Sequence, residues 1–300
     1  MRKNPIITGT IILTATGLIS RLIGFFYRIY LSQAIGAEGL GVYQMIFPIY
    51  SICFSLCCGP IQTAISKNVA GQTEKKSSNS GKAMFQSGLI LSFSFAILVA
   101  LLIHLNADFL AAYILLEPKC APLLKILVWA IPMCSVTSCI SGYYYGRKKA
   151  HIPAISQLAE QLVRVFSFYI ISKIWLSQGM EISVSLAVIV LVLGEAASAL
   201  ISIIIAGFHF TGLPKSLIRL KDTLWPNMKM ILLISVPLSA NRLCISVLQS
   251  AEAIMIPNKL QQFGLTSSEA YSVYGILTGM ALPAGVKQGN KKVAGQRGLY

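Results

Sequence analysis

Acidic residues are scarce in this 300-residue chain: ten Asp and Glu stand against 25 Lys and Arg. Charged residues together make up only 12%, against 55% hydrophobic, where ordinary globular domains carry about 25% charge. A soluble surface cannot be built from that balance. Histidine occurs three times, as His104, His151 and His209, each alone near the end of an apolar stretch. That argues against a metal site, and against a membrane-embedded transferase with clustered Asp or His. Cys53, Cys57, Cys58, Cys120, Cys134, Cys139 and Cys244 show no C-x-x-C spacing. They read as small apolar residues packed between helices, not as metal ligands or a disulfide framework. No cofactor is implied. Strand-like alternation is missing, which excludes a transmembrane β-barrel. Basic residues come in short clusters without interleaved aromatics, which excludes a nucleic-acid partner.

What is present is a series of apolar runs at roughly 6–33, 40–66, 84–105, 121–145, 152–176, 182–208 and 229–257, with an eighth that begins near Tyr271 and fails after Pro283. About 20 apolar residues cross the hydrocarbon of a bilayer as a helix. Lipid offers the backbone no partners, so such runs form helices. The expected fold is an all-α polytopic membrane bundle of seven or eight helices. The first run is too long for a cleaved signal, carries Arg21 and Arg28, and lacks an A-x-A site. The connecting segments alternate in charge. Lys67, Lys75, Lys76 and Lys82, then Arg147, Lys148 and Lys149, then Lys215, Arg219, Lys221 and Lys229 fall on one side. Glu38, Asp108, Glu117, Lys119, Glu181, Lys259 and Glu269 fall on the other. The positive-inside rule puts the N-terminus and the basic loops in the cytoplasm; the resemblance described below implies that the membrane is a bacterial plasma membrane.

Polar residues kept inside these spans recur at helical spacing. Thr10, Thr14, Gly17, Arg21, Gly24 and Arg28 share one face of the first span. The second span repeats the device with Gln44, Ser51, Ser55, Gly59, Gln62 and Ser66. Ser156, Glu160, Arg164 and Ser167 mark the fifth span, and Glu195, Ser198 and Ser202 the sixth. The seventh carries Ser235, Ser239, Arg242, Ser246 and Gln249, with Glu252 beside the stripe. Helix packing accounts for many of the small and hydroxyl positions. It does not account for the charges, which cost at least about 2.5–3.5 kcal/mol each near the bilayer centre. Glu160 and Arg164, one turn apart, can neutralise each other. Convergence of the remaining polar faces implies a hydrated cavity with positive charge in its wall, suited to a phosphate-bearing head group.

Spans one and two echo spans seven and eight. Ser20-Arg21 is answered by Asn241-Arg242, Ile35-Gly36 by Phe263-Gly264, and Val42-Tyr43 by Val273-Tyr274. This is the pattern of two parallel six-helix lobes related by an axis along the membrane normal. The expected divisions are a six-helix lobe over 1–208, a cytoplasmic linker over 209–228, the start of a second lobe over 229–283 and an aberrant polar tail over 284–300. The tail AGVKQGNKKVAGQRGLY is polar and basic, as expected of a truncated or frame-shifted product. A short cytoplasmic tail after a re-entrant segment is the alternative.

GTIILTATGLISRLIGFFYRIYLSQAIGAEGLGVYQMIFPIY, GPIQTAISKNVA and YSVYGILTGMALP resemble the stage V sporulation protein B and polysaccharide-export proteins. These are relatives of the MurJ-type lipid II flippases in the multidrug/oligosaccharidyl-lipid/polysaccharide exporter superfamily. The resemblance implies two lobes, a central cavity, alternating access and a transporter, not an enzyme. It implies that Arg21, in the S-R-x-x-G-F motif, holds a lipid-linked diphosphate. The family's second basic position falls here on Tyr27, with Arg28 one place displaced, and a further one falls on Ser55-Leu56. The cargo implied is an undecaprenyl-diphosphate-linked saccharide, for peptidoglycan or polysaccharide biosynthesis during sporulation. Arg28 and Arg242 would assist Arg21, and Glu160, Arg164, Glu195 and Glu252 are candidates for the cavity wall or ion coupling. The full-length protein is expected to act as a monomer. A multidrug/cation antiporter, which needs acids in its cavity, and an inactive half-transporter are the rival readings.

Overall fold

The computed structural model describes residues 5–74, 78–209 and 217–281, with side chains over 9–72, 81–207 and 224–279. Every regular element among the described residues is helical. In chain order these are α1 (Pro5–Met45), α2 (Phe47–Cys57), α3 (Gly59–Glu74), α4 (Ser78–Leu105), α5 (Ala107–Phe109), α6 (Cys120–Leu127), α7 (Ala130–Gly146), α8 (His151–Ser177), α9 (Val184–His209), α10 (Leu217–Gln262) and α11 (Ser267–Ile276). Single π-helical turns follow α5 and α11, at Leu110–Ile114 and Leu277–Ala281. The expected all-α membrane bundle is what the chain forms.

Five described stretches are long and apolar enough to cross a membrane: Gly9–Gln72, Gly81–Leu105, Cys120–Gly146, Val184–Gly207 and Leu224–Gln262. The first of these unites the expected spans one and two, because helix runs through their junction with only Gly36 out of helical conformation (φ 76°, ψ 169°). The fifth expected span is present as the 27-residue α8. It is absent from that set of five because Glu160, Arg164 and Lys173 lower its hydropathy. Part of the segment 209–228, expected as a cytoplasmic linker, is helical. Helix α10 already begins at Leu217, where Leu217, Leu220 and Leu224 recur at helical spacing. Residues 284–300 lie outside the described residues.

Proline sets the interruptions of the second and fourth spans. It has no N–H, so the carbonyl four residues earlier loses its helical partner. Breaks at Ile46, at Cys58 and at Val128–Trp129 fall just ahead of Pro48, Pro60 and Pro132. At the last of these the Val128 carbonyl is taken instead by the Ile131 N–H, at 3.1 Å. The three prolines inside α10, Pro226, Pro237 and Pro257, leave it continuous.

In lipid the hydrophobic effect does not drive helix to helix, so close packing and hydrogen bonds must. Among the described residues α1 packs extensively on α11. There Gly41 lies against the Tyr271 carbonyl, and a Cβ on Gly275 would sit 2.6 Å from the Gly41 nitrogen. The echoed segments therefore pack on each other, and the matched Gly36 and Gly264 both carry positive φ, 76° and 97°. Much of the expected serine patterning proves to be interhelical bonding. Ser51 and Ser55 on α2 each lie 3.0 Å from Ser246 on α10. Ser156 on α8 lies 2.8 Å from Ser202 on α9. Large apolar side chains face outward along the helices, among them Phe26, Leu102, Phe166, Leu200 and Leu233, as a lipid-facing surface requires.

Candidate functional site

A cavity opens inside the bundle. Tyr50 and Ser51 of α2 face it beside Gln44 and Gln62, and α7, α8 and α9 close the other sides. The space measures about 660 Å³, within the usual range of about 300–1,000 Å³ for small-molecule sites. Its wall holds the amides of Gln44, Gln62, Gln157 and Gln249, hydroxyls of Thr137, Ser138, Ser141 and Ser198, and the rings of Phe47, Tyr50, Phe54, Tyr145 and Tyr274. Two carboxyl groups, Glu160 and Glu195, complete it.

Behind this wall lies a buried ionic cluster. Arg164 pairs with Glu160 one turn before it on α8. Tyr50 donates to Glu195 Oε1 at 2.9 Å, linking α2 to α9. Glu195 also lies within electrostatic reach of both Glu160 and Arg164. Arg164 Nε and the Tyr27 hydroxyl are buried without a hydrogen-bond partner. The cluster thus sets two carboxyls against one guanidinium, with a donor to spare on Arg164.

The structure separates the charges read from the sequence. Glu160, Arg164 and Glu195 come together. Arg21 and Arg28 are not among the residues lining the cavity; Arg21 is exposed and Arg28 half-buried on α1. The stripe they share faces open space, since nothing lies within 4 Å of a Cβ placed on Gly17 or Gly24. Arg242 of α10 lays its guanidinium against Gly59 at the start of α3. Among the described residues none of these three arginines has an ion-pair partner. Glu252 is exposed on α10, near Tyr274. Tyr50 and Gln157 line the cavity without having been singled out in the sequence. Tyr50 sits one place before the stripe position Ser51, at the edge of the same helical face. Gln157 sits one place beyond the stripe position Ser156.

At one end of the bundle, surface bonds tie α1 to α11 and to the turn before α6. Ser268 donates to Glu38 Oε2 at 2.7 Å, and Lys119 pairs with Glu38 Oε1 at 2.9 Å. These two bonds hold the Glu38 carboxyl below its ordinary range, the Ser268 bond more than the Lys119 bond. The same pairing with Glu38 raises Lys119. A capping box between Thr266 and Glu269 starts α11 beside it and lowers the Glu269 carboxyl, because its oxygen accepts from the Thr266 N–H and hydroxyl.

A family model described as polysaccharide biosynthesis protein matches residues 6–283. The chain belongs to that family. Among curated relatives of this chain, stage V sporulation protein B of Bacillus subtilis (strain 168) is 26% identical over 289 residues, which are 94% of this chain and 55% of that protein. Sporulation protein YkvU of the same organism is 22% identical over 287 residues, 94% of this chain and 61% of the relative. The lipid II flippase MurJ of that organism is 25% identical over 205 residues, 64% of this chain and 37% of that protein. The chain therefore spans little more than half the length of the first two. In fold it is similar to a multidrug resistance MATE family transporter of the MOP superfamily solved in an inward-facing conformation. That likeness has a TM-score of 0.65 and 15% identity, and covers 89% of this chain and 60% of the other.

Proposed function

We propose that this polysaccharide biosynthesis family chain serves the passage of a lipid-linked saccharide, an undecaprenyl-diphosphate type of cargo, across a bacterial plasma membrane. The observation that carries the reading is a polar cavity inside an apolar bundle, with three guanidinium groups, Arg21, Arg28 and Arg242, left without ion-pair partners among the described residues. A guanidinium in that state is costly in a membrane unless it meets water or an anion. Its planar fork matches a phosphate through paired hydrogen bonds. In this reading the diphosphate rests on the arginines, the saccharide enters the cavity, and the lipid tail stays in the bilayer. Residues 1–208 act as one lobe and 229–283 as the start of its partner, so that opening and closing alternates between the two membrane faces. The positive-inside pattern puts the Glu38–Ser268 contact outside and the Gln62–Tyr145 end of the cavity toward the cytoplasm. The relatives named for sporulation support spore peptidoglycan or polysaccharide as the destination.

The acid-lined cavity favours a second reading, a multidrug/cation antiporter, because Glu160 and Glu195 line it and no arginine does. One experiment separates the two. Cells depleted of their own lipid II flippase are supplied with the full chain, and accessibility of lipid-linked precursor at the outer face is measured. The flippase reading expects restored translocation, lost in Arg21→Ala and in Arg242→Ala. Translocation kept in both arginine variants removes the diphosphate from Arg21 and Arg242; no restored translocation, with cation-coupled drug efflux that Glu195→Gln abolishes, overturns the flippase reading in favour of the antiporter.

A further inference from the structure

The cavity wall carries more recognition chemistry than its folding uses. Gln44, Gln62, Gln157 and Gln249 come from α1, α3, α8 and α10 and face one space. None of the four amides has a side-chain hydrogen bond among the described residues. An amide offers two donors and an acceptor with two lone pairs; Gln44 and Gln62 are half-buried and Gln157 and Gln249 exposed, so these groups are open to whatever fills the cavity. Four amides on four helices thus hold donors and acceptors in one space that helix packing does not use. Amides interleaved with the rings of Phe54, Tyr145 and Tyr274 make a surface for a ligand dense in hydroxyls with apolar C–H faces between them. That is the chemistry of a sugar ring.

Charge narrows the class further. Glu160 is matched by Arg164, whereas Glu195 has only the Tyr50 hydroxyl. The wall so carries one carboxyl beyond its guanidinium, and no cation of its own faces the space. A carboxylate-bearing or phosphate-bearing ring entering there meets like charge at low dielectric and no compensating donor of opposite sign. An ammonium meets Glu195.

We propose that this cavity is the seat of the saccharide and not of the diphosphate, and that it selects rings free of carboxylate, with an amine-bearing sugar preferred at Glu195. The inference rests on the lipid-linked saccharide reading above and divides that cargo in two: rings on the glutamines and Glu195, diphosphate on the arginines outside.

The test uses the full chain in lipid nanodiscs and three short oligosaccharides of equal length, titrated by calorimetry. The probes are an N-acetylglucosamine oligomer, its deacetylated amine form, and a galacturonic acid oligomer. The amine form is expected to bind tightest, the acetylated form more weakly, and the acidic form not measurably. Glu195→Gln is expected to weaken the amine form by about tenfold or more, and Gln62→Ala to weaken both bound forms, with helix content checked by circular dichroism. Binding of the acidic oligomer as tight as that of the acetylated one overturns the proposal, and that comparison needs no variant. So does an amine oligomer indifferent to Glu195→Gln in a chain of unchanged helix content. Sugar selectivity as expected in a chain that moves no lipid-linked precursor sinks the flippase reading and leaves this one standing. Translocation combined with acidic-oligomer binding does the reverse.

Discussion

Arg164 is the residue whose placement most changes the reading of its neighbours. Paired with Glu160, it removes one carboxyl from the cavity's charge and leaves Glu195 as the unmatched one. Removing one member of a buried pair strands the other, at a cost of about 3–5 kcal/mol, whereas removing both is often nearly neutral. Arg164→Leu is therefore expected to lower stability by about 3 kcal/mol or more. Glu160→Leu/Arg164→Leu should recover most of that loss, read as thermal unfolding of the purified chain in detergent. Equal loss in the single and double variants would show that the pair does not behave as a unit. Glu38 offers a pH prediction. Its carboxyl is held below the ordinary value of 4.5 by Ser268 and Lys119. The contact it makes is thus fully present above that value and is lost as the pH falls below it, through the lowered value. Because Glu38 is largely solvated, the effect is local and small. Protection of the α11 amides against hydrogen exchange, corrected for the intrinsic dependence of exchange on pH, should fall on acidification in the parent chain and fall less in Glu38→Gln.

At the level of elements, the packing of α1 on α11 depends on absent side chains. Gly41 lies on the Tyr271 carbonyl and Gly275 on the Gly41 backbone, so these helices approach as closely as backbone allows. A methyl group has no room there unless the helices separate. Gly41→Ala is expected to cost about 1–3 kcal/mol and to raise the rate of cross-linking-reagent access to the cavity from the Glu38 side. Access and stability both unchanged would mean that the contact yields easily and does not close that end. Contacts between elements are also where local spacing stops informing: Tyr50 on α2 donates to Glu195 on α9, a pairing 145 residues apart in the chain that no local spacing encodes.

For the whole molecule, the alternation of basic and acidic connections predicts sidedness. In a cysteine-free background, Lys148→Cys is expected to resist a membrane-impermeant maleimide in intact cells, while Glu269→Cys reacts. The opposite labelling would invert both the topology and the direction in which the cavity opens. The family match over residues 6–283 and the transporter-like fold agree with the bundle that hydropathy predicts.

Composition and run length were enough to determine a helical membrane bundle, because hydrocarbon leaves a long apolar segment only one way to satisfy its backbone. The echo of Gly36 and Gly264 was also legible, since positive φ at a helix break favours glycine. Which charges share a cavity was not. Arg21 and Glu195 look equally committed to an interior when each is read on its own helix, since helical spacing reports a face but not what that face meets. Only the packing of α1, α2, α8 and α9 placed the carboxyls in the wall and left Arg21 outside it, because the sign of a cavity is a sum over helices that the chain brings together across more than a hundred residues.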